Sequence, residues 1–237
     1  MSKGILTEVP TTADEVQRGL QPEVKTVHEV TYNLLRRLGL TTVFGNPGST
    51  EQPFLKNFPK DFQYVLGLQE SSAVAMADGF AQATKRPVLV NLHTSAGTGN
   101  GMGNIMTAFQ NKTPLIITAG QQTREMILCD PYLTNRDETT LPRPWVKWAY
   151  QPVRAQDVPG AIMRAYAVAL QPPAGPVYVS IPLDDCCLLY TSQRTLGNAG
   201  RVFEEHHIAG HQMRADKAGQ LIVGIVPGLD AEKNTQG

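Results

Sequence analysis

The chain has 237 residues, of which 41% are hydrophobic and 18% charged, so it can bury a core and does not resemble a disordered protein. Lys plus Arg and Asp plus Glu both number 21, and no apolar run approaches about 20 residues, so we expect neither a nucleic-acid nor a membrane partner. The three cysteines, Cys129, Cys186 and Cys187, lack metal-site spacing, which favours a reduced, cytoplasmic location.

The predicted elements begin after a polar leader, residues 1–23, which lacks the pattern of a signal peptide. Apolar residues at helical spacing then predict a helix that ends at Gly39. Ser49 is predicted to cap a short helix, with Gln52 completing a capping box. From there strands alternate with helices: we predict strands at 41–44, 62–68, 87–92, 114–119 and 176–181, and helices at 71–83, 98–110 and 157–170.

The alternation predicts an α/β fold. Several strands are apolar throughout, which is typical of a parallel sheet that is covered on both faces. With right-handed crossovers, this becomes a doubly wound parallel sheet with helices on both faces. Ligands bind such sheets at the carboxyl ends of the strands, which we predict at Phe44, Leu68, Leu92 and Ala119.

The pattern weakens after Asp185, where only residues 221–226 indicate another strand. We therefore predict one α/β domain at residues 24–185. Residues 186–237 are interpreted as the truncated stub of a middle domain or as a non-native tail.

Three side chains at predicted strand ends are candidates for chemistry: Ser49, Glu70 and His93. A carboxylate at such an edge is poorly solvated, so Glu70 needs a proton or a hydrogen-bond partner there. Taken singly, Ser49 and Glu70 are explained by helix capping and the helix dipole, and His93 by a structural hydrogen bond. A hydroxyl, a carboxylate and an imidazole at three neighbouring strand ends instead indicate a catalytic site.

Ordered motifs along the chain carry a family resemblance, at residues 43–49, 68–70, 91–93, 96–100, 118–124, 141–144, 146–148 and 175–178. From about residue 27 to residue 185 the chain resembles the N-terminal, pyrimidine-binding domain of thiamine-diphosphate-dependent decarboxylases. Within them it is most similar to the benzoylformate decarboxylases. His93 with the following Ala-Gly-Thr-Gly-Asn supports this placement, since acetolactate synthase-like members typically have Gly-Pro-Gly-Ala-Thr-Asn there and lack the histidine.

The resemblance implies roles for particular residues. Glu70 would activate the cofactor by hydrogen bonding to N1′ of its aminopyrimidine ring, Ser49 would hold the substrate carboxylate, and His93 would position the substrate or relay protons. The implied cofactor-binding residues are Glu70, Asn46, Pro47, Gly48, Thr98, Gly99 and Asn100.

Two further sets of residues depart from the family pattern. The implied substrate pocket contains Ser49, His93, Tyr132 and Leu133, with Tyr132–Leu133 where the aromatic-acid enzyme has paired leucines, which leaves the substrate open. Carbonyls of Thr140, Leu141 and Arg143 would hold a structural cation, although the family residue that matches Thr140 is Asn.

The resemblance also implies thiamine diphosphate and Mg²⁺ as cofactors, a 2-oxo acid as substrate, and a homodimer or homotetramer. In this family the main diphosphate and Mg²⁺ sites lie in a C-terminal domain. We therefore expect the 237-residue chain alone to bind thiamine diphosphate negligibly and to be inactive.

Two alternatives stay open. The chain can belong to another thiamine-diphosphate enzyme, of the acetolactate synthase or oxalyl-CoA decarboxylase type. It can also be a catalytically silent oligomerisation domain, because the predicted helices 71–83 and 98–110 are rich in Ala and Gly, which suits close helix contact between subunits.

Overall fold

A computed structural model describes residues 25–137, 139–190, 211–215 and 221–225 of the chain. Within these ranges the strands are β1 (Lys25–Thr26), β2 (Thr42–Asn46), β3 (Gln63–Leu66), β4 (Val88–Leu92), β5 (Leu115–Gln121), β6 (Ala149–Tyr150), β7 (Val177–Pro182), β8 (Leu189–Tyr190), β9 (His211–Ala215) and β10 (Leu221–Ile225). The helices are α1 (Val27–Arg37), α2 (Gln52–Leu55), α3 (Glu70–Thr84), α4 (Thr94–Asn111), α5 (Arg124–Ile127) and α6 (Val158–Leu170), with 3₁₀ turns at Ser49–Glu51, Ala155–Asp157 and Asp185–Cys187.

Strands β2 to β7 form one parallel sheet in the order β3-β2-β4-β5-β7-β6. After β2 the chain forms β3 on one side of that strand, then crosses back and forms β4 on its other side. This reversal creates a topological switch point between β2 and β4. A crevice opens there at the carboxyl ends of the strands, which is where open α/β sheets bind their ligands.

Helices cover both faces of the sheet, which confirms the predicted doubly wound α/β fold. Leu89 and Ile116 pack with residues of α1 and α6, whereas their neighbours Val90 and Ile117 pack with residues of α3 and α4 on the opposite face. Successive strand residues point to opposite faces, so apolar residues at every strand position are needed to fill both cores. Within the described ranges, no helix combines the length and the apolar character that crossing a bilayer requires.

The first helix follows the local rules on which its prediction rested. Thr26 accepts a hydrogen bond from the backbone of Glu29, whose carboxylate in turn accepts the backbone N–H of Thr26, so a capping box starts α1. At the other end, Gly39 adopts a φ of 71°, a left-handed conformation that suits glycine after a helix. The predicted end of this helix is therefore confirmed.

Several element boundaries differ from the sequence-based expectation. β2 and β5 each run two residues beyond their predicted ends, to Asn46 and Gln121, whereas β3 ends at Leu66 rather than Leu68. Helix α4 begins at Thr94, four residues earlier than predicted. The two-residue strand β6 was not predicted, because so short a strand carries no periodicity.

Ordered pairing extends past the predicted boundary at residue 185. β8 pairs antiparallel with β1, and the backbone N–H of Val27 donates to the carbonyl of Leu188 at 3.0 Å. The strand predicted at 221–226 is present as β10, which pairs antiparallel with β9.

An ion pair with one fully buried partner, Asp185, lies at the C-terminal end of the predicted domain. Arg124 donates from its guanidinium to Asp185 Oδ2 at 2.7 Å and to the carbonyl of Pro152 at 3.0 Å. Among the described residues Asp185 Oδ1 has no hydrogen-bond partner. Burial raises the pKa of Asp185 to about 6, and the charge of Arg124 opposes this increase without cancelling it.

This raised pKa makes the folding stability depend on pH. In the unfolded chain an aspartate titrates near pH ~4. An acid whose pKa is higher in the folded state stabilises the fold fully below the pKa of the unfolded chain, and it loses this contribution as the pH rises from there through about 6. Relative to the original chain, Asp185→Asn is therefore expected to gain a few degrees in melting temperature between pH ~4.5 and pH ~7.

Thermal unfolding monitored by circular dichroism across this pH range measures the effect. Asp61→Asn, in the exposed pair with Arg36, is the control and is expected to show no such gain. A constant difference between Asp185→Asn and the original chain would contradict the prediction.

Candidate active site

Three loops at the switch point position the candidate residues. Asn46 ends β2, Glu70 begins α3 just after β3, and His93 follows β4 directly. The turn after β2 contacts the other two loops, since Asn46 bonds to Glu70 and Gly48 lies against the ring of His93. The structure thus gathers the predicted site around one turn.

Glu70 lies in a polar clamp. Its carboxylate accepts from Asn46 Nδ2 at 3.2 Å through Oε1 and from Asn100 Nδ2 at 3.0 Å through Oε2. The residue is only 7% exposed, so these two amides replace much of the water that a carboxylate normally binds. As the first residue of α3 it also lies at the positive end of the helix dipole.

Two glycines of α4 allow this helix to lie close to α3, and one of them faces the carboxylate of Glu70. A Cβ on Gly97 would lie 3.2 Å from Glu70 Oε1, and one on Gly101 would lie 3.2 Å from the side chain of Val74 in α3. Glycine is unfavourable inside a helix, and this local preference is why the sequence predicted a later start for α4. Close packing of α4 against α3 outweighs that preference.

His93 is held by a buried carboxylate that the sequence analysis missed. Its Nδ1 lies 2.9 Å from Glu51 Oε2 and 3.2 Å from Thr50 Oγ1. Glu51 also accepts the backbone N–H groups of Gly48 and Gly120, both at 2.7 Å, and the hydroxyl of Thr50 at 2.6 Å. One side chain therefore connects the loops after β2 and β4 with the end of β5.

A sequence signal for Glu51 exists. Glu51 is the third residue after Gly48, and a Glu at this position commonly reaches back to the backbone N–H of the N-cap residue. The predicted box paired Ser49 with Gln52 and was one residue out of register. It is wrong because Gly48, not Ser49, is the N-cap, while Ser49 is the exposed first residue of the 3₁₀ turn.

The remaining predicted cofactor residues occupy different faces of α4. Gly99 has open space around it, with no atom within 4 Å of the position a Cβ would take. Asn100 is exposed apart from its bond to Glu70. Thr98 instead is fully buried toward the sheet, where its hydroxyl bonds to the carbonyl of Thr94 and lies 3.3 Å from the hydroxyl of Tyr178.

The loop that carries Tyr132 and Leu133 returns to the same edge of the sheet. Asn135 exchanges hydrogen bonds with the side chain of Gln121 and donates from Nδ2 to the carbonyl of Gly120 at 2.8 Å. Tyr132, by contrast, is 89% exposed. The base of this loop is thus fixed beside the end of β5.

The predicted cation ligands lie in a turn beyond this loop. The carbonyl of Thr140 accepts the backbone N–H of Arg143 at 3.0 Å, while Leu141 and Arg143 are exposed. Within the part of the chain that is described, no group of three or more His, Cys, Asp or Glu residues could hold a metal ion. The described residues therefore offer no side-chain cluster for Mg²⁺.

The arrangement suits a flat, nitrogen-containing ring more than a phosphate. Glu70 presents a shielded acceptor, Gly97 leaves space next to it, and His93 adds an imidazole. A ring nitrogen that carries a proton can bond to the carboxylate, so the residues fit the aminopyrimidine end of thiamine diphosphate.

Comparisons with known proteins agree with this chemistry. Residues 25–140 match the family model described as thiamine pyrophosphate enzyme, N-terminal TPP binding domain. The benzoylformate decarboxylase of Pseudomonas aeruginosa is 59% identical over 162 residues, which are 68% of this chain and 31% of that protein. The acetolactate synthase large subunit of Haemophilus influenzae is more distant, with 30% identity over 158 residues, or 66% of this chain and 27% of that protein.

Solved structures give the same result. The crystal structure of benzoylformate decarboxylase from Polynucleobacter necessarius matches 68% of this chain and 30% of its own, with 64% identity and a TM-score of 0.68. A thiamine diphosphate-dependent 4-hydroxybenzoylformate decarboxylase from Rhodococcus jostii matches 79% of this chain and 35% of its own, with 48% identity and a TM-score of 0.73. The chain spans about a third of the length of these decarboxylases.

Proposed function

The chain belongs, through residues 25–140, to the thiamine pyrophosphate enzymes, and from this premise we propose that it forms the pyrimidine-binding half of the active site in a 2-oxo acid decarboxylase. The similarity to benzoylformate decarboxylases supports this class over the acetolactate synthases. The presence of His93, which the acetolactate synthase-like pattern lacks, supports it as well.

The clamped carboxylate of Glu70 is the observation that carries the proposal. Packing alone does not require an acidic side chain between Asn46 and Asn100, and burying one costs free energy unless it has partners. When bound, thiamine diphosphate supplies the electron sink into which a 2-oxo acid can lose carbon dioxide. Glu70 holds the proton at the ring nitrogen of this cofactor, and Asn46 and Asn100 keep its carboxylate in place.

The other candidates handle the substrate. His93 exchanges a proton at its imidazole or orients the carboxylate of the 2-oxo acid. Ser49, exposed at the start of the 3₁₀ turn, donates its hydroxyl to that carboxylate. Pro47 and Gly48 shape the turn between these side chains. The Mg²⁺ ion and the diphosphate are bound outside the described residues, which provide no metal cluster.

We assign an aromatic 2-oxo acid as the substrate class. Relatives that act on benzoylformate and 4-hydroxybenzoylformate support this choice. In this proposal Tyr132 and Leu133, in the loop after β5, contact the substrate, and the tyrosine adds a hydroxyl that paired leucines lack. Thr140, Leu141 and Arg143 hold a structural cation through their carbonyls.

The intact enzyme is a cytoplasmic homodimer or homotetramer. Met76 and Phe80 on α3 and Met106 on α4 are each 39% exposed, which is typical of an apolar surface that another subunit covers. The three cysteines are free, which agrees with a reduced compartment.

A chimera tests this proposal. The part of this chain that aligns with the Pseudomonas aeruginosa benzoylformate decarboxylase over 162 residues replaces its counterpart in that enzyme, and the product is assayed on benzoylformate, pyruvate and oxalyl-CoA. We expect benzoylformate to be decarboxylated within about tenfold of the parent rate, because the exchanged stretch is 59% identical in the two proteins. We expect pyruvate and oxalyl-CoA to react at least about a hundredfold more slowly.

Circular dichroism and cofactor binding serve as controls for folding of the chimera. A folded chimera that binds thiamine diphosphate but decarboxylates none of the three compounds would contradict the proposal and favour a silent oligomerisation domain. Preference for pyruvate would favour an acetolactate synthase-type enzyme, and preference for oxalyl-CoA an oxalyl-CoA decarboxylase.

A further inference from the structure

We propose that Glu51 is a positioning residue that fixes His93 in the tautomer with the proton on Nδ1, so that Nε2 presents a lone pair to the site. The functional part of this inference rests on the role proposed for His93. The tautomer itself can be measured independently of any activity.

The hydrogen-bond inventory around Glu51 assigns the proton. The backbone N–H groups of Gly48 and Gly120 can only donate, so they use Glu51 as an acceptor on both of its oxygens. Two backbone donors favour the ionised form of the carboxylate, which has no hydrogen to donate in its remaining contacts. The proton between Glu51 Oε2 and His93 Nδ1 therefore belongs to the imidazole.

Thr50 completes the network consistently. Its hydroxyl has one hydrogen, which it donates to Glu51 Oε1 at 2.6 Å. At 3.2 Å from His93 Nδ1, the same oxygen can then act only as an acceptor, and it receives the second branch of the Nδ1–H bond. With Nδ1 unprotonated, both Thr50 and Glu51 would face it without a hydrogen to give.

Packing fixes the orientation of the ring as well. A Cβ on Gly48 would lie 2.3 to 2.5 Å from Nδ1, Cε1 and Cγ of His93, so the turn after β2 lies flat against this side of the imidazole. The side chain of His93 is still 19% exposed. Because Nδ1 is occupied, Nε2 is the ring nitrogen that remains to bind a ligand.

This tautomer restricts what His93 can do. As a neutral ring it can only accept at Nε2, so it takes up a proton rather than donating one. It becomes a donor to an anionic substrate only after that proton has arrived, and the ionised Glu51 stabilises the resulting imidazolium. His93 thus acts at Nε2, as an acceptor when the ring is neutral and as a donor when it is protonated.

Nuclear magnetic resonance on the ¹⁵N-labelled 237-residue chain tests the tautomer. At a pH where the ring is neutral, long-range ¹H–¹⁵N correlations distinguish a protonated from an unprotonated ring nitrogen. We expect the His93 signal, identified by its absence in His93→Gln, to show Nδ1 protonated and Nε2 unprotonated. The opposite tautomer, which predominates in free histidine, would overturn the inference without any variant.

Two variants test the role of Glu51. Glu51→Leu removes both acceptor oxygens and frees the Thr50 hydroxyl to donate to Nδ1, so we expect the His93 population to shift mainly to the Nε2–H tautomer. Thr50→Val removes a hydroxyl but leaves Glu51 in place, so the Nδ1–H tautomer is expected to persist. Retention of the Nδ1–H tautomer in Glu51→Leu, or its loss in Thr50→Val, would overturn the assignment to Glu51.

Failure of the proposed function gives a different result. An Nδ1–H tautomer that depends on Glu51, together with an inactive chimera, would leave the inference standing and contradict only the decarboxylase role. An active chimera with His93 in the Nε2–H tautomer would overturn the inference and leave the decarboxylase role standing.

Discussion

Glu70→Gln in the chimera is expected to lower the rate of decarboxylation by about 10²- to 10⁴-fold, the range typical of a lost acid–base group. A glutamine keeps the shape of the side chain and can still accept from Asn46 or Asn100, but it cannot carry the proton that Glu70 exchanges with the cofactor. The rate of carbon dioxide release at saturating thiamine diphosphate measures the effect.

A matched control lies on the same helix. Asp78 is the other buried carboxylate of α3 and accepts from Asn111 Nδ2 at 2.9 Å, away from the loops of the site. Asp78→Asn is expected to leave the rate within about twofold of the chimera. If Glu70→Gln were as active as Asp78→Asn, the carboxylate would be structural and the oligomerisation alternative would gain support.

Gly120→Ala is expected to destabilise the chain by about 1–3 kcal/mol, the usual cost of overpacking a filled site. A Cβ at this position would lie 2.1 Å from Glu51 Oε1 and 2.4 Å from Thr50 Oγ1. Neither side chain can retreat, because Glu51 is fixed by four hydrogen bonds. Urea unfolding of the chain, followed by circular dichroism, gives the free energy of unfolding.

Gly103→Ala is expected to change the free energy of unfolding in the opposite direction. Gly103 lies within α4, and no atom lies within 4 Å of the position that a Cβ would take there, so an alanine is expected to stabilise the helix by about 0.5–1 kcal/mol. Equal effects of the two substitutions would show that the end of β5 adapts, and that Glu51 does not hold it rigidly.

The sheet could be predicted from the sequence because its signals are local. Apolar runs such as 87–92 and 114–119 allow few alternatives to buried parallel strands, and Gly39 ends a helix by its own backbone preference. The start of α4 could not be predicted in this way. It depends on the contact between Gly97 and Glu70, residues that are far apart in the sequence.

The residues of the candidate site also fall into two groups, those that local sequence signals reveal and those that only contacts in the folded chain reveal. Ser49, Glu70 and His93 could be selected because each follows a predicted strand, and parallel strands end at a common edge. Glu51 could not, because its importance lies in the hydrogen bonds to Gly120 and His93, which only the folded chain brings near it. Sequence patterns find the strand ends, whereas the connections between loops appear only in three dimensions.

The way in which the loop after β5 is attached has a practical consequence for enzyme engineering. Its hydrogen bonds use the backbone carbonyls of Tyr132 and Thr134 and the side chain of Asn135, not the side chain of Tyr132. Randomising positions 132 and 133 should therefore preserve the anchorage of the loop. A library that varies only these two codons could be screened for activity on new acyl donors, with little expected loss of folded protein.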